Sequence, residues 1–257
     1  MTWQEIAGLA VTAAAAGVIN AIAGGGTMLT FPVLLFYGVS PIQANATSTL
    51  ALVIGTFGSV FGFRRYIAGV KPWLTRFVPV SLLGGWLGSL LLTRTSDKVF
   101  AHLVPFLILF ATILFLTQGL FRKFAGFGGG GPAQPHHRAV WMAVLFQFGV
   151  AVYGGYFGAG IGILMLASLG FLGLEDIHEM NALKNILGSL INVVAAAWFV
   201  ASGLIDWPKA GIMTVGALVG YYLGAHFSQR LSQTAVRRTV TSIGFVISAM
   251  LFWKQFR

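Results

Sequence analysis

The sequence predicts an all-α polytopic membrane protein with two pseudo-symmetric helical repeats. Of its 257 residues, 57% are hydrophobic and only 9% are charged, whereas about a quarter of the residues in a soluble domain are charged. No charged residue or histidine lies between Ile6 and Phe63, or between Ala139 and Leu174. Both runs exceed the ~20 apolar residues that cross a bilayer. A soluble core of this composition would have no polar surface to keep it in solution.

Eight apolar segments follow one another along the chain, and each is predicted to be helical because backbone groups in lipid must bond within their own segment. The segments are 5–36, 45–63, 73–93, 99–121, 139–172, 182–201, 208–227 and 239–253. The first and fifth are too long for one straight span, and glycine clusters interrupt both. We therefore expect about eight transmembrane segments, with a glycine-broken or re-entrant segment in each half.

The two halves look like copies of one unit. A shift of 136 positions aligns residues 24–96 with 160–232 without a gap, and twelve of the 73 pairs are identical. Special residues among these pairs are Gly24/Gly160, Gly26/Gly162, Asn45/Asn181, Pro72/Pro208, Gly84/Gly220, Gly88/Gly224 and Arg94/Arg230. We predict a first repeat over 1–125, a Gly/Pro/His linker over 126–138 and a second repeat over 139–257.

The net charge of +10 comes from basic residues at the ends of apolar segments. This pattern indicates contact with lipid headgroups and the positive-inside rule, not a nucleic-acid surface. It predicts a cytoplasmic linker. Parallel repeats would place both termini inside and inverted repeats would place both outside. Since either arrangement leaves ten Lys and Arg inside and five outside, the charge count does not distinguish them.

Several classes of chemistry lack their residues in this chain. There is no cysteine, and neither long charge-free run contains an acidic residue. Thiol catalysis, thiolate metal sites and a paired-carboxylate site in the membrane are therefore excluded. His136 and His137 in the linker could bind a metal, but such a pair is usually solvated. No phosphate-binding loop is present. We expect no cofactor, no metal and no enzymatic activity.

The glycine clusters and the polar residues after them are the candidate binding site. Small residues can serve close helix packing, or they can break a helix so that free N–H groups face an anion. The predicted site residues are Gly24, Gly25, Gly26, Asn45, Thr47, Ser48, Gly158, Gly160, Gly162, Asn181, Lys184 and Asn185.

Lys184 lies on a polar stripe with helical spacing. Asn181, Asn185, Gly188 and Asn192 share its face. A lysine inside an apolar run is commonly functional, although its long side chain could also reach the membrane surface. The 136-residue shift pairs Ser48 with Lys184 and Thr56 with Asn192.

At these residues the chain resembles the sulfite exporter TauE/SafE family, also called the toluene-sulfonate uptake permease family. The matching residues are Asn20-Ala-Ile-Ala-Gly24-Gly25-Gly26, Pro32, Gln43-Ala-Asn45-Ala-Thr47-Ser48, Asn181-Ala-Leu-Lys184-Asn185 and Gly220-Tyr-Tyr-Leu-Gly224. The resemblance implies a multi-pass permease of the bacterial inner membrane for sulfur-containing anions such as sulfite or organosulfonates. The glycine-rich linker and its histidines depart from the family pattern.

The functional hypothesis is a secondary carrier that binds a small anion between the two repeats, near the membrane midplane. One half would move against the other to give alternating access. A passive anion channel is compatible with the same features, and a membrane-embedded enzyme is the remaining alternative. Expected partners are the small anion and the lipid bilayer, with no nucleic acid and a possible homo-oligomer.

Overall fold

The computed structural model describes residues 1–22, 25–62, 64–125, 137–170, 177–227 and 233–255. Over these ranges the chain forms ten α-helices and one 3-10 turn, Arg64–Tyr66, with no strand. The helices are α1 (Trp3–Ile22), α2 (Thr27–Phe36), α3 (Pro41–Gly62), α4 (Ile67–Arg94), α5 (Asp97–Ala125), α6 (His137–Tyr156), α7 (Ile161–Gly170), α8 (Ile177–Ala201), α9 (Trp207–Phe227) and α10 (Gln233–Gln255). Eight of them have 20–29 residues, whereas α2 and α7 have ten each.

The outer surface of the helix assembly is apolar. Helices α1, α4, α5 and α8 contain stretches long and apolar enough to cross a membrane. Large hydrophobic side chains are exposed on several of the surrounding helices. Examples are Leu83, Leu91, Phe106, Met142, Leu145, Val215, Val246 and Met250. Such a continuous apolar exterior suits lipid and not water. The predicted all-α polytopic membrane fold is therefore confirmed.

Each glycine-broken segment folds back on itself as a helical hairpin. A side chain added at Gly8, near the start of α1, would meet the hydroxyl of Tyr37, just after α2. One added at Gly26, just before α2, would meet the backbone of Ala16. Helix α2 therefore runs antiparallel to α1 and returns the chain to the side on which it began. The prediction of a broken or re-entrant segment holds for the first half.

The second hairpin, α6–α7, has the same form. Gly158 at its tip lies beside Asn192 of α8, and Gly162 in α7 lies beside Lys184. Helix α7 is therefore antiparallel to α8. Helices α6 and α8 both run parallel to α4, because Gly84 and Gly88 contact α6 at successive turns and Gly85 contacts Ile191 of α8. The chain therefore turns back between α6 and α7.

Because both hairpins return, the two halves have opposite orientations. We call the side on which α1 begins the terminus side and the side on which α5 ends the linker side. Helices α1, α3, α5 and α9 run from the terminus side to the linker side, and α4, α6, α8 and α10 run the other way. Three contacts on the terminus side fix these directions: Asp97 with the start of α3, Lys209 with Glu5, and Trp198 with Thr93. The end of α5 and the start of α6 thus lie on the side opposite the start of α1 and the end of α10, and the positive-inside rule leads us to expect both termini outside.

The fourth helix of each half packs against the other half. Helix α4 lies along α6 and α8, and α9 lies along α1 and α3. Under the 136-residue shift the α4–α6 contact corresponds to α9–α1, and the α4–α8 contact corresponds to α9–α3. The α5–α7 contact corresponds in the same way to α10–α2. Equivalent helices of the two halves therefore make equivalent contacts, while the duplication itself stays a prediction. The linker prediction falls mostly outside the described residues, and α6 already begins at His137.

The matched glycines lie where these exchanged helices touch. Gly84 and Gly88 of α4 face the backbone of α6, and their counterparts Gly220 and Gly224 of α9 face the backbone of α1. A side chain at any of the four would overlap its neighbour. In these late glycine pairs the duplicated feature is therefore close helix packing, and not solute binding.

Candidate functional site

Helices α3 and α8 cross near the centre of the molecule, and the candidate residues lie along both. The Ser189 hydroxyl donates a hydrogen bond to the Thr56 carbonyl oxygen at 3.4 Å. Near this crossing lie Thr56 and Asn192, which the sequence shift pairs with each other. Helix α8 has no exposed residue between 179 and 196 and contacts α3, α4, α6 and α7. The crossing is therefore inside the protein, away from lipid.

The tip of the first hairpin is bound internally. Gly25 has a positive φ of 92°, a conformation that glycine adopts at little cost. The Gly26 N–H donates to the Asn20 side-chain oxygen at 2.6 Å, and the Asn20 amide donates to the Tyr221 hydroxyl at 2.9 Å. The Gly26 N–H is therefore not available to a solute in this arrangement. Gly24 lies outside the described residues.

The polar residues of α3 are also engaged with the protein. Thr30 and Ser48 share a hydrogen bond of 2.6 Å, and the Thr47 hydroxyl accepts the Asp206 N–H at 3.1 Å. The Asn45 amide donates to the Tyr156 carbonyl oxygen at 3.1 Å, which ties α3 to the tip of the second hairpin. The side-chain oxygen of Asn45, Oδ1, is buried and has no hydrogen-bond partner among the described residues.

The tip of the second hairpin leaves backbone N–H groups without a hydrogen bond among the described residues. Gly158 and Gly160 have positive φ values of 80° and 79°, and the Tyr153 hydroxyl holds the turn by donating to the Ala159 carbonyl oxygen at 2.7 Å. Within the described part of the chain, the N–H groups of Gly160 and Gly162 have no hydrogen-bond acceptor. They lie at the N-terminus of α7, which carries a partial positive charge.

Lys184 lies next to this N-terminus. Its hydrocarbon stem runs past Gly162, and its ammonium nitrogen donates to the Asn181 side-chain oxygen at 3.0 Å. Among the described residues the only ion pairs are those that Lys209 makes with Glu5 and Asp206. Lys184 therefore has no carboxylate partner there, and two of its three N–H donors are unused.

The rest of the α8 stripe adds further unused donors. The side chains of Asn185 and Asn192 make no hydrogen bond within the described ranges. Gly188, between them on the same face, has nothing within 4 Å of the position where a side chain would begin. A free space therefore borders this stripe inside the protein. The positive charge of Lys184, the two amide groups and the N-terminus of α7 lie along this stripe.

The structure does not bring all twelve predicted residues to one point. Ser48 is eight residues from Thr56 toward the terminus side, and Lys184 is five residues from Ser189 toward the linker side. At 1.5 Å per residue these distances sum to about 20 Å along the helices. The second-half residues Gly158, Gly160, Gly162, Asn181, Lys184 and Asn185 lie along α8 and the hairpin tip and α7 segment beside it, and we name this set the α8 site. Of the first-half residues, Asn45 contacts the second hairpin at Tyr156, next to the tip, whereas Thr47 and Ser48 lie elsewhere.

Asn192 belongs to the α8 site although it is outside the predicted set. Its signal in the sequence is its place on the helical stripe that contains Lys184. Gly188 joins the site for the same reason, as the position where the stripe opens. No group of three or more His, Asp or Glu side chains that could hold a metal ion occurs in the ranges the structure describes.

Comparisons with known proteins find probable membrane transporters that match nearly the whole chain. The chain is 28% identical over 242 residues to a "probable membrane transporter protein" of Haemophilus influenzae, a match that covers 93% of this chain and 91% of that protein. It is 26% identical over 239 residues to the probable membrane transporter protein YfcA of Escherichia coli K12, covering 93% and 86%. The probable membrane transporter protein YunE of Bacillus subtilis is 24% identical over 269 residues, covering 96% and 97%.

No solved structure matches the chain. The family model described as "Sulfite exporter TauE/SafE" matches residues 9–251, which is nearly the whole chain and includes both hairpins and every residue of the α8 site. The chain therefore belongs to the sulfite exporter TauE/SafE family.

Proposed function

We propose that this protein is a secondary carrier of a small sulfur oxyanion, sulfite or an organosulfonate, across the bacterial inner membrane, and that the α8 site binds the anion. The observation that carries the proposal is the Lys184 ammonium group, which is half-buried on a helix inside the protein and has no carboxylate partner in the described ranges. A charge in this position is costly unless it is paired. An anion in the neighbouring space would supply the missing charge.

The neighbouring donors suit an oxyanion. Lys184 has two N–H groups to spare, Asn185 and Asn192 each have an amide group, and Gly160 and Gly162 offer backbone N–H groups. A sulfonate or hydrogen sulfite group has three oxygens with two lone pairs each, so it can accept from Lys184 and from neighbouring donors at the same time. Charge-assisted hydrogen bonds of this type are about twice as strong as neutral ones.

An aromatic cluster separates the α8 site from the terminus side. Phe31 of α2, Phe100 of α5 and Phe157 at the second hairpin tip have ring centroids 5.4–6.3 Å apart. All three rings are buried. They join both halves on the side of the tip opposite Lys184. In the proposed cycle this structure is the linker-facing state, and the cluster must separate when the site opens to the other side.

Transport into proteoliposomes tests the proposal. Purified protein should move labelled sulfite and methanesulfonate, and Lys184→Gln should reduce initial uptake at least tenfold, because it removes the only charge of the site. Lys98→Gln is the control, since Lys98 is exposed at the start of α5 and its removal should leave uptake unchanged. A folded Lys184→Gln protein that transports at the rate of the original chain would show that the site is misassigned.

The same preparation distinguishes a carrier from a channel. A carrier should accumulate the anion above its external concentration when a proton or sodium gradient is imposed. A channel would only equilibrate the anion, and its flux would follow the membrane potential. Accumulation that needs one of these gradients supports the carrier; simple equilibration under every gradient contradicts it.

A further inference from the structure

We infer that the α8 site selects its substrate by charge state and takes singly charged oxyanions in preference to doubly charged ones. The inference rests on the proposed function, because it concerns the same site. Its basis is the number of charges available to the anion. Lys184 supplies one positive charge, and every other group lining the site is an amide, a backbone N–H or a glycine.

Neutrality of the site follows from its surroundings. The second hairpin and α7 contain no charged residue between Ala139 and Gly170, and α3 contains none. Titratable groups on the other elements that contact α8 are the Arg64–Tyr66 turn, Lys71, Arg76 and Arg94 of α4, and His137, Arg138, Tyr153 and Tyr156 of α6. Besides Lys184, α8 itself carries His178 and Glu179 in its first turn, and the Glu179 side chain points at Gly69 of α4. Among the described groups, none forms an ion pair with Lys184.

The charge balance then decides between the anions. A monoanion bound at Lys184 leaves the site neutral. A dianion leaves one net negative charge in a space enclosed by apolar helices, where an uncompensated charge is strongly disfavoured. Extra hydrogen bonds from Asn185 and Asn192 do not remove that net charge. Hydrogen sulfite and alkyl sulfonates fit this requirement, whereas sulfate and the fully deprotonated sulfite ion do not.

The test compares three anions on the original protein. Methanesulfonate stays a monoanion, sulfate stays a dianion, and sulfite changes from monoanion to dianion near neutral pH. The ratio of sulfite to methanesulfonate uptake should fall several-fold between about pH 6 and about pH 8, because a monoprotic equilibrium changes up to tenfold per pH unit. Sulfate should neither enter nor compete. Any effect of pH on the protein cancels in the ratio.

A second variant tests the same idea by gain of function. Gly188→Lys places another positive charge in the open space, and it should admit sulfate while reducing the preference for methanesulfonate. Gly211→Lys is the matched control, because Gly211 on α9 also has nothing within 4 Å of its added side chain but is exposed far from the site.

The outcomes separate this inference from the proposed function. A constant uptake ratio across pH, or sulfate uptake equal to that of methanesulfonate, overturns the charge selection while leaving anion transport in place. No uptake of any of the three anions means that the proposed function itself is wrong. The measurements on the original chain stand even if Gly188→Lys does not fold.

Discussion

Replacement of Lys184 by methionine should stabilise the protein while abolishing transport. Methionine has nearly the same length, so it can keep the contact of the lysine stem with Gly162. A lysine near the centre of a transmembrane helix costs about 2.5–3.5 kcal/mol. The hydrogen bond from the ammonium to Asn181 returns about 1.5–3 kcal/mol of that.

The difference gives a net gain of about 1 kcal/mol for Lys184→Met in anion-free buffer. For a chain of this size such a gain raises the midpoint of thermal unfolding by roughly 2–4 °C. Sulfite should reverse the order of the two proteins, because it binds only the folded original. Ligand at a hundred times its dissociation constant adds about 2.7 kcal/mol.

The assay is thermal unfolding of both purified proteins in detergent, with and without sulfite. Sodium chloride at equal ionic strength is the control for a general salt effect. A Lys184→Met protein that unfolds at a lower temperature in anion-free buffer would refute the reasoning, since the ammonium group would then be an anchor of the fold. Equal stabilisation of both proteins by sulfite would place the anion elsewhere.

Three further predictions concern packing, backbone conformation and topology. Gly88→Val should prevent stable folding, because the side chain would overlap the backbone of Val152. Gly149→Ala, in open space, is its control and should be stabilising by about 0.5–1 kcal/mol. The yield of monodisperse protein compares the two variants, and a normal yield for Gly88→Val would contradict the close contact. Gly158→Ala should be destabilising by about 1–2 kcal/mol, because its φ is 80°, whereas Gly162→Ala meets only the Lys184 stem at 3.5 Å and should be tolerated; equal unfolding temperatures would refute the difference. Since the chain has no cysteine, Lys98→Cys should react with an impermeant maleimide on intact cells and Arg65→Cys only after lysis, and the opposite result would reverse the orientation.

Much of the fold could be predicted from the sequence because lipid permits few choices. Charge-free runs mark the spans, and runs too long for one span mark the hairpins. The direction of each hairpin could not be read in the same way. Ten residues such as Thr27–Phe36 can continue across a bilayer or turn back, and the choice depends on contacts such as that of Tyr37 with Gly8.

The hairpin direction, which the sequence leaves open, also explains why the site could be predicted only in part. The sequence shift pairs Ser48 with Lys184, but inverted halves carry paired residues to opposite sides of the crossing. Ser48 therefore bonds Thr30 and does not approach Lys184. The inequality of the two copies is nevertheless visible in the sequence. Only the second copy has a lysine on the polar helical stripe, where the first copy has Ser48.

The exchange of α4 and α9 between the halves has a consequence for how the protein is made. Helix α1 is synthesised first, yet the helix that covers its glycine and alanine face, α9, leaves the ribosome about two hundred residues later. Until then Ala10, Ala14 and Gly17 lack the α9 backbone that they contact in the folded protein. The nascent first half therefore waits in the bilayer incompletely assembled, and a chain truncated after α8 would be a substrate for membrane proteases.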